Sequence, residues 1–106
     1  MKSVKQNGQQ GDVLFRKLEV LPDGDRNIVA RKQIEVMHGE NGHSHVIDDD
    51  EAEMIRIGER MLLVLERAVT VKHEEHKPVR LSPGIWEIGR VKEFDWLAGM
   101  ERPVVD

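Results

Sequence analysis

Met61-Leu62-Leu63-Val64-Leu65-Glu66-Arg67-Ala68-Val69-Thr70-Val71-Lys72-His73 is the stretch whose reading decides the fold. Five apolar residues in succession, followed by the branched Val69, Thr70 and Val71, suit strands, the first of them covered on both faces. Parity adds a second inference. Leu63, Leu65, Val69, Val71 and His73 all occupy odd positions, and strand side chains alternate between faces. In an unbroken register His73 therefore leaves the strand on its core-facing side. A β-bulge near Glu66-Arg67 would break that register.

Turn signals frame this stretch on both sides. Downstream, Pro78-Val79-Arg80-Leu81 leads into the turn Ser82-Pro83-Gly84, and Ile85 to Val91 reads as the last strand. From Asp95 the pattern is irregular, and Pro103 limits pairing. Upstream, Gly58-Glu59-Arg60 reads as a tight turn, Glu53 to Ile57 as a strand and the acidic Asp48-Asp49-Asp50-Glu51 as a solvated turn. His43-Ser44-His45-Val46-Ile47 follows a loop, His38 to Gly42, rich in turn residues. Ile28-Val29-Ala30 and Ile34-Glu35-Val36-Met37 form one or two strands around the polar Arg31-Lys32-Gln33. Leu21-Pro22-Asp23-Gly24-Asp25 is a turn, because proline presets φ and glycine accepts positive φ. Gly11-Asp12 opens a strand from Val13 to Leu18, and the polar residues before it read as loosely held.

No segment carries a sustained helical period with caps. The chain is expected to be all-β, a small antiparallel β-barrel or sandwich. Its organisation reads as a flexible N-terminal segment 1–10, a single β domain 11–94 and an irregular tail 95–106.

Composition narrows the functional classes. A chain of 106 residues with 39% hydrophobic residues supports one core. A formal charge of −4 argues against a general nucleic-acid binder, which presents a basic face. Zero cysteines exclude disulfides, thiolate zinc sites and cysteine nucleophiles. The opening Met1-Lys2-Ser3-Val4-Lys5-Gln6 has no apolar run of the signal-peptide kind. Met61 to Leu65, the longest apolar run, is too short to cross a membrane. These features lead to the expectation of a cytoplasmic protein with no membrane partner.

The histidines carry the chemistry. All five lie in two windows, His38 to His45 and His73 to His76. On a strand, His43 and His45 share one face, and His73 arrives on the core side by parity. Neutral imidazole is a good metal donor near pH 7, and its second nitrogen is available for anchoring. His43, His45 and His73 are thus candidate ligands, with His76 a fourth ligand or a supporting partner, for zinc, iron, manganese or nickel. Three histidines would leave positions open for water; four would close a structural site. Glu74 and Glu75 read as a solvated turn that could orient a ligating imidazole. His73-Glu74-Glu75-His76 is not the zinc-protease signature, which needs histidines at i and i+4 on a helix. Trp86 and Phe94 read as core and rim, and Met37, Met54 and Met61 as packing.

Gly42-His43-Ser44-His45, a β-rich interval and then Leu81-Ser82-Pro83-Gly84-Ile85-Trp86 together resemble the two-motif layout of small cupins. That resemblance implies a double-stranded β-helix around a metal, with His43 and His45 as the matching positions. The chain also resembles short bacterial and phage proteins that share Gly11-Asp12-Val13-Leu14, the Gly-His-x-His segment and the His-Glu-Glu-His segment. This second likeness spans most of residues 11 to 95 and implies no known activity.

Two functional readings follow. One is a small metal-binding, cupin-like protein, with catalysis, catalytic residues and any small-molecule ligand left open. The other is a non-catalytic interaction module that recognises another protein through its acidic surface and histidine loops, with a response to pH through the clustered imidazoles as an open addition. The tail, with Trp96, Leu97 and Met100 under little polar cover, points to a homodimer.

Overall fold

The computed structural model describes residues 7–38 and 44–90. Eight strands follow in order: β1 (Asn7–Gln10), β2 (Val13–Leu18), β3 (Asn27–His38), β4 (Ser44–Ile57), β5 (Arg60–Leu65), β6 (Val69–Val71), β7 (Val79–Leu81) and β8 (Gly84–Arg90). Six of them form an antiparallel sheet in the order β1-β2-β8-β5-β4-β3, and β6-β7 form a second, two-stranded sheet. The protein is all-β. Among the described residues the strands do not close into a barrel; two sheets face one core, as in a sandwich.

Strand β4 reaches both sheets. Its second half, Ala52 to Ile57, pairs with β5. Its first half meets the small sheet through Val46 and Lys72, whose backbones exchange hydrogen bonds of 3.0 and 2.9 Å. A straight strand of 14 residues would be about 45 Å long, whereas the longest extent of the molecule is 34 Å. The β3–β4 ribbon must therefore bend. Its register shifts supply an extra residue on β3 at Ile28/Ala30 and Glu35/Met37, and extra residues on β4, Asp49 to Ala52, opposite Lys32 at Arg31/Gln33, the usual means of bending a strand. Lys32 sits in the middle shift at φ 67°, a conformation uncommon for a residue with a side chain.

Two sequence readings change here and a third is decided between its alternatives. Asp48 to Glu51 is not a turn but part of β4; the run stays solvated because β5 does not extend over it. Of the two readings open for Arg31-Lys32-Gln33, a turn or a solvated strand face, the second holds: the three residues are exposed within the single strand β3, with an irregular register at Lys32. Asn7 to Gln10, assigned to a flexible segment, forms a strand paired with β2 and ends in a buried glutamine. The tail 95–106, with the homodimer expected from it, lies outside the described residues.

The parity argument corresponds to what is observed. Leu63, Leu65, Val69 and Val71 all enter the main core, together with Phe15, Ile34, Ile47, Leu81, Trp86 and Ile88. The chain changes sheets at Glu66-Arg67 and keeps the odd residues facing inward. The opposite face of the large sheet holds a smaller cluster, Ile55, Ile57 and Leu62, flanked by Leu18, Leu21, Val64 and Ile85. Apolar residues on both faces make β5 continuously hydrophobic. The β2–β3 loop helps cover the smaller cluster: a Cβ on Gly24, at φ 125°, would stand 2.9 Å from Ile57 Cγ2. Glu87, also on this side, is buried and held by two bonds of 2.9 and 2.8 Å from Arg60.

Candidate functional site

Four elements converge where the two sheets meet. The β1–β2 hairpin turns at Gly11-Asp12 and presents Gln10 opposite Val13, on the core side. Strand β4 supplies His45, two residues before the buried Ile47 and on the same face. The chain leaving β6 supplies His73, and the following turn supplies His76. Three imidazoles thereby come together: the His73 ring centroid lies 4.4 Å from those of His45 and His76, and His45 and His76 lie 6.4 Å apart, nearly parallel. His45 is buried, His73 half-buried and His76 exposed.

Each ring is held differently. The Gln10 side-chain amide donates to Val71 O and Lys77 O, both at 2.9 Å. Carbonyl oxygens only accept, so both amide hydrogens are committed and Gln10 Oε1 faces His45 Nδ1 at 2.8 Å. His45 therefore donates from Nδ1, and the lone pair of the neutral ring lies on Nε2. His73 is set the other way round. Its Nδ1 accepts the backbone N–H groups of Glu75 and His76 at 3.0 and 3.2 Å, which puts its proton on Nε2. His76 lies over the hairpin turn: a Cβ on Gly11, which has φ 60°, would stand 2.7 Å from His76 Nε2.

Burial pushes the pKa of His45 below the ordinary imidazole value. The neighbouring His73 adds to this, as do His76 and Arg90 more weakly, while the Asp12 carboxylate opposes it. Asp12 and Arg90 pair at 2.9 Å on the rim of the same region. A cavity of about 340 Å³ lined by Ser44, Val46, Lys72, His73 and Glu74 opens beside the rings.

The structure thus brings together His45, His73 and His76 of the four candidate ligands. His43 and its loop lie outside the described residues. Imidazoles sharing one tetrahedral metal have ring centroids about 5 Å apart, and the observed separations straddle that value. Among the described residues, no group of three or more histidines or carboxylates is arranged so that it could hold a metal ion. As the turn stands, His73 offers no lone pair, since one nitrogen is engaged by the backbone and the other bears the proton.

Residues 9–91 match a family model described as a domain of unknown function (DUF8820). The chain belongs to the DUF8820 family. No curated protein and no solved structure matches it. The matched span contains every residue of the cluster, from Gln10 to His76, so the site lies wholly inside the DUF8820 domain. No helix among its described residues is long and apolar enough to cross a membrane.

Gln10 is the site residue that sequence reasoning missed. The signal was the adjoining Gly11-Asp12, a two-residue hairpin turn with its glycine at positive φ. Reading that turn as a hairpin sets Gln10 opposite Val13 and directs it inward.

Proposed function

We propose that this DUF8820 domain binds a divalent transition-metal ion at the histidine cluster. The observation that carries the reading is the anchoring of His45: a buried neutral imidazole, oriented by a side-chain hydrogen bond at one nitrogen, with a lone pair on the other. Metal-ligating histidines are typically held in this way. His45 through Nε2 and His76 are the ligands favoured among the described residues. His43, two residues before His45, is needed to complete the set. His73 joins only if the 73–76 turn releases its Nδ1. Zinc, iron, manganese and nickel all suit imidazole donors, and a bound ion would supply Lewis acidity beside the cavity. The cupin-like layout belongs to this proposal through His43 and His45.

The test is elemental analysis of protein purified without a polyhistidine tag, followed by thermal unfolding with each ion. A metal present at 100 times its dissociation constant adds about 2.7 kcal/mol of stability, a melting shift on the order of 10 °C in a domain of this size. Replacing His43 and His45 together by alanine should remove the shift. Absence of both metal and shift overturns the reading.

A separate observation favours the second reading, a pH-responsive interaction module. His45 is crowded by two further imidazoles, and protonation of the cluster would set like charges within 4.4 Å of one another. Self-association or partner capture by metal-free protein that changes between pH 8 and 5.5 would support it, and pH-independent association would count against it.

A further inference from the structure

We infer that Gln10 is the positioning residue of the histidine site, fixing His45 as the Nδ1–H tautomer while the turn after β6 fixes His73 as the opposite one. The tautomer assignment stands on the hydrogen-bond network alone; its consequence for a ligand rests on the metal-binding reading above.

The argument is one of satisfied donors and acceptors. Gln10 is 2% exposed and His45 is 2% exposed, so neither can exchange its partner for bulk water. Turning the Gln10 amide over would aim its oxygen at Val71 O and Lys77 O and its nitrogen at His45. That arrangement sets two carbonyls, one of them buried, against an acceptor and leaves Gln10 Oε1 and both carbonyls without the bonds they now make. Only one orientation bonds all of them. It dictates that His45 donate from Nδ1, and so Nε2 is the one nitrogen of that ring able to take a proton, a hydrogen bond or a metal.

His73 provides an internal contrast. Its Nδ1 receives two backbone N–H groups, so its proton must lie on Nε2. Two imidazoles whose centroids lie 4.4 Å apart therefore carry their protons on different nitrogens, one determined by a side chain from β1 and the other by a local turn. The first of these depends on Gln10 and the second does not. Residues just before the first hairpin thus set the chemistry of a ring on β4.

The experiment is a long-range ¹H–¹⁵N correlation spectrum of the untagged, EDTA-treated full chain at pH 8. Expected are a pyrrole-type Nδ1 and pyridine-type Nε2 for His45, with the reverse for His73. In Gln10→Leu, His45 should lose its single tautomer and show averaged shifts, while His73 keeps Nε2–H. Gln10→Glu loses both donors to Val71 O and Lys77 O and should lower stability, yet it retains an acceptor for His45 Nδ1, so the folded variant should keep the Nδ1–H tautomer, which a purely structural role for Gln10 does not require. A wild-type His45 with Nε2–H overturns the proposal without recourse to any variant. So does a Gln10→Leu protein that folds and leaves His45 unchanged. Zinc is then added to the wild type. The expected tautomers with no zinc response refute zinc binding at this site and leave this inference standing. A zinc response centred on His45 Nδ1 refutes this inference and leaves metal binding standing.

Discussion

At Gly11 one missing side chain does two things: the backbone adopts φ 60°, and His76 lies where a Cβ would be. Gly58 has nearly the same backbone, φ 63°, but faces open space. The pair separates strain from contact. Gly11→Ala and Gly58→Ala should each lower stability by about 1 kcal/mol through left-handed strain, measured as urea midpoints. Only Gly11→Ala should also weaken zinc binding, because it alone displaces His76; equal zinc affinity in the two variants would remove His76 from the site. At this scale the sequence was readable in part. His73 could be placed on the core side, and His45 on one face with His43, because strand parity is a local rule. Gln10 could not be valued from the sequence, since a glutamine acquires its role only from the two carbonyls, 61 and 67 residues away, that take its hydrogens.

Strands β5 and β8 lie side by side in the middle of the large sheet, with Leu62 opposite Glu87. Glu87 is the one charged group on this face of β8, and Arg60, the first residue of β5, neutralises it through paired bonds. Removing the arginine strands a buried carboxylate. Arg60→Ala is expected to destabilise by about 2 kcal/mol, less than the 3–5 of a fully buried pair because the Arg60 side chain is 38% exposed. Arg60→Leu combined with Glu87→Leu should recover most of that loss, as apolar replacements of buried ion pairs often do. A double variant no more stable than Arg60→Ala in guanidinium titration would show that the pair holds the strands in register. The all-β class and most strand positions were legible from turn residues and branched runs. What could not be read was the path of β4. Asp48 to Glu51 looks like a loop by composition, yet it lies within β4; only Asp48 pairs with β3, and Asp49 to Glu51 fall in the register shift opposite Lys32, between two paired stretches of the strand.

Across the whole molecule, the buried imidazole links stability to pH. Burial and the adjacent rings hold His45 below its unfolded value near 6.5, so its neutral form is the one the fold favours. Above that value neither state binds a proton there, and this contribution to stability is independent of pH. As pH falls through 6.5, the unfolded chain takes up a proton that the folded chain resists, and the folded state loses ground until its own lower pKa is reached. The slope from one such group is at most about 1.4 kcal/mol per pH unit. The metal-free protein should therefore show a flat urea midpoint from pH 8 to 7 and a falling one from 6.5 to 5.5. His45→Gln, which cannot be protonated, should flatten the acid limb. Zinc should steepen it, because protons and metal compete for the same nitrogens. Carboxylates titrate lower, near pH 4, so a loss that begins only below pH 5 would assign the acid limb to them and deny the cluster any hold on the fold. A wild-type midpoint that declines from 6.5 in parallel with His45→Gln would instead place the responsible group outside His45.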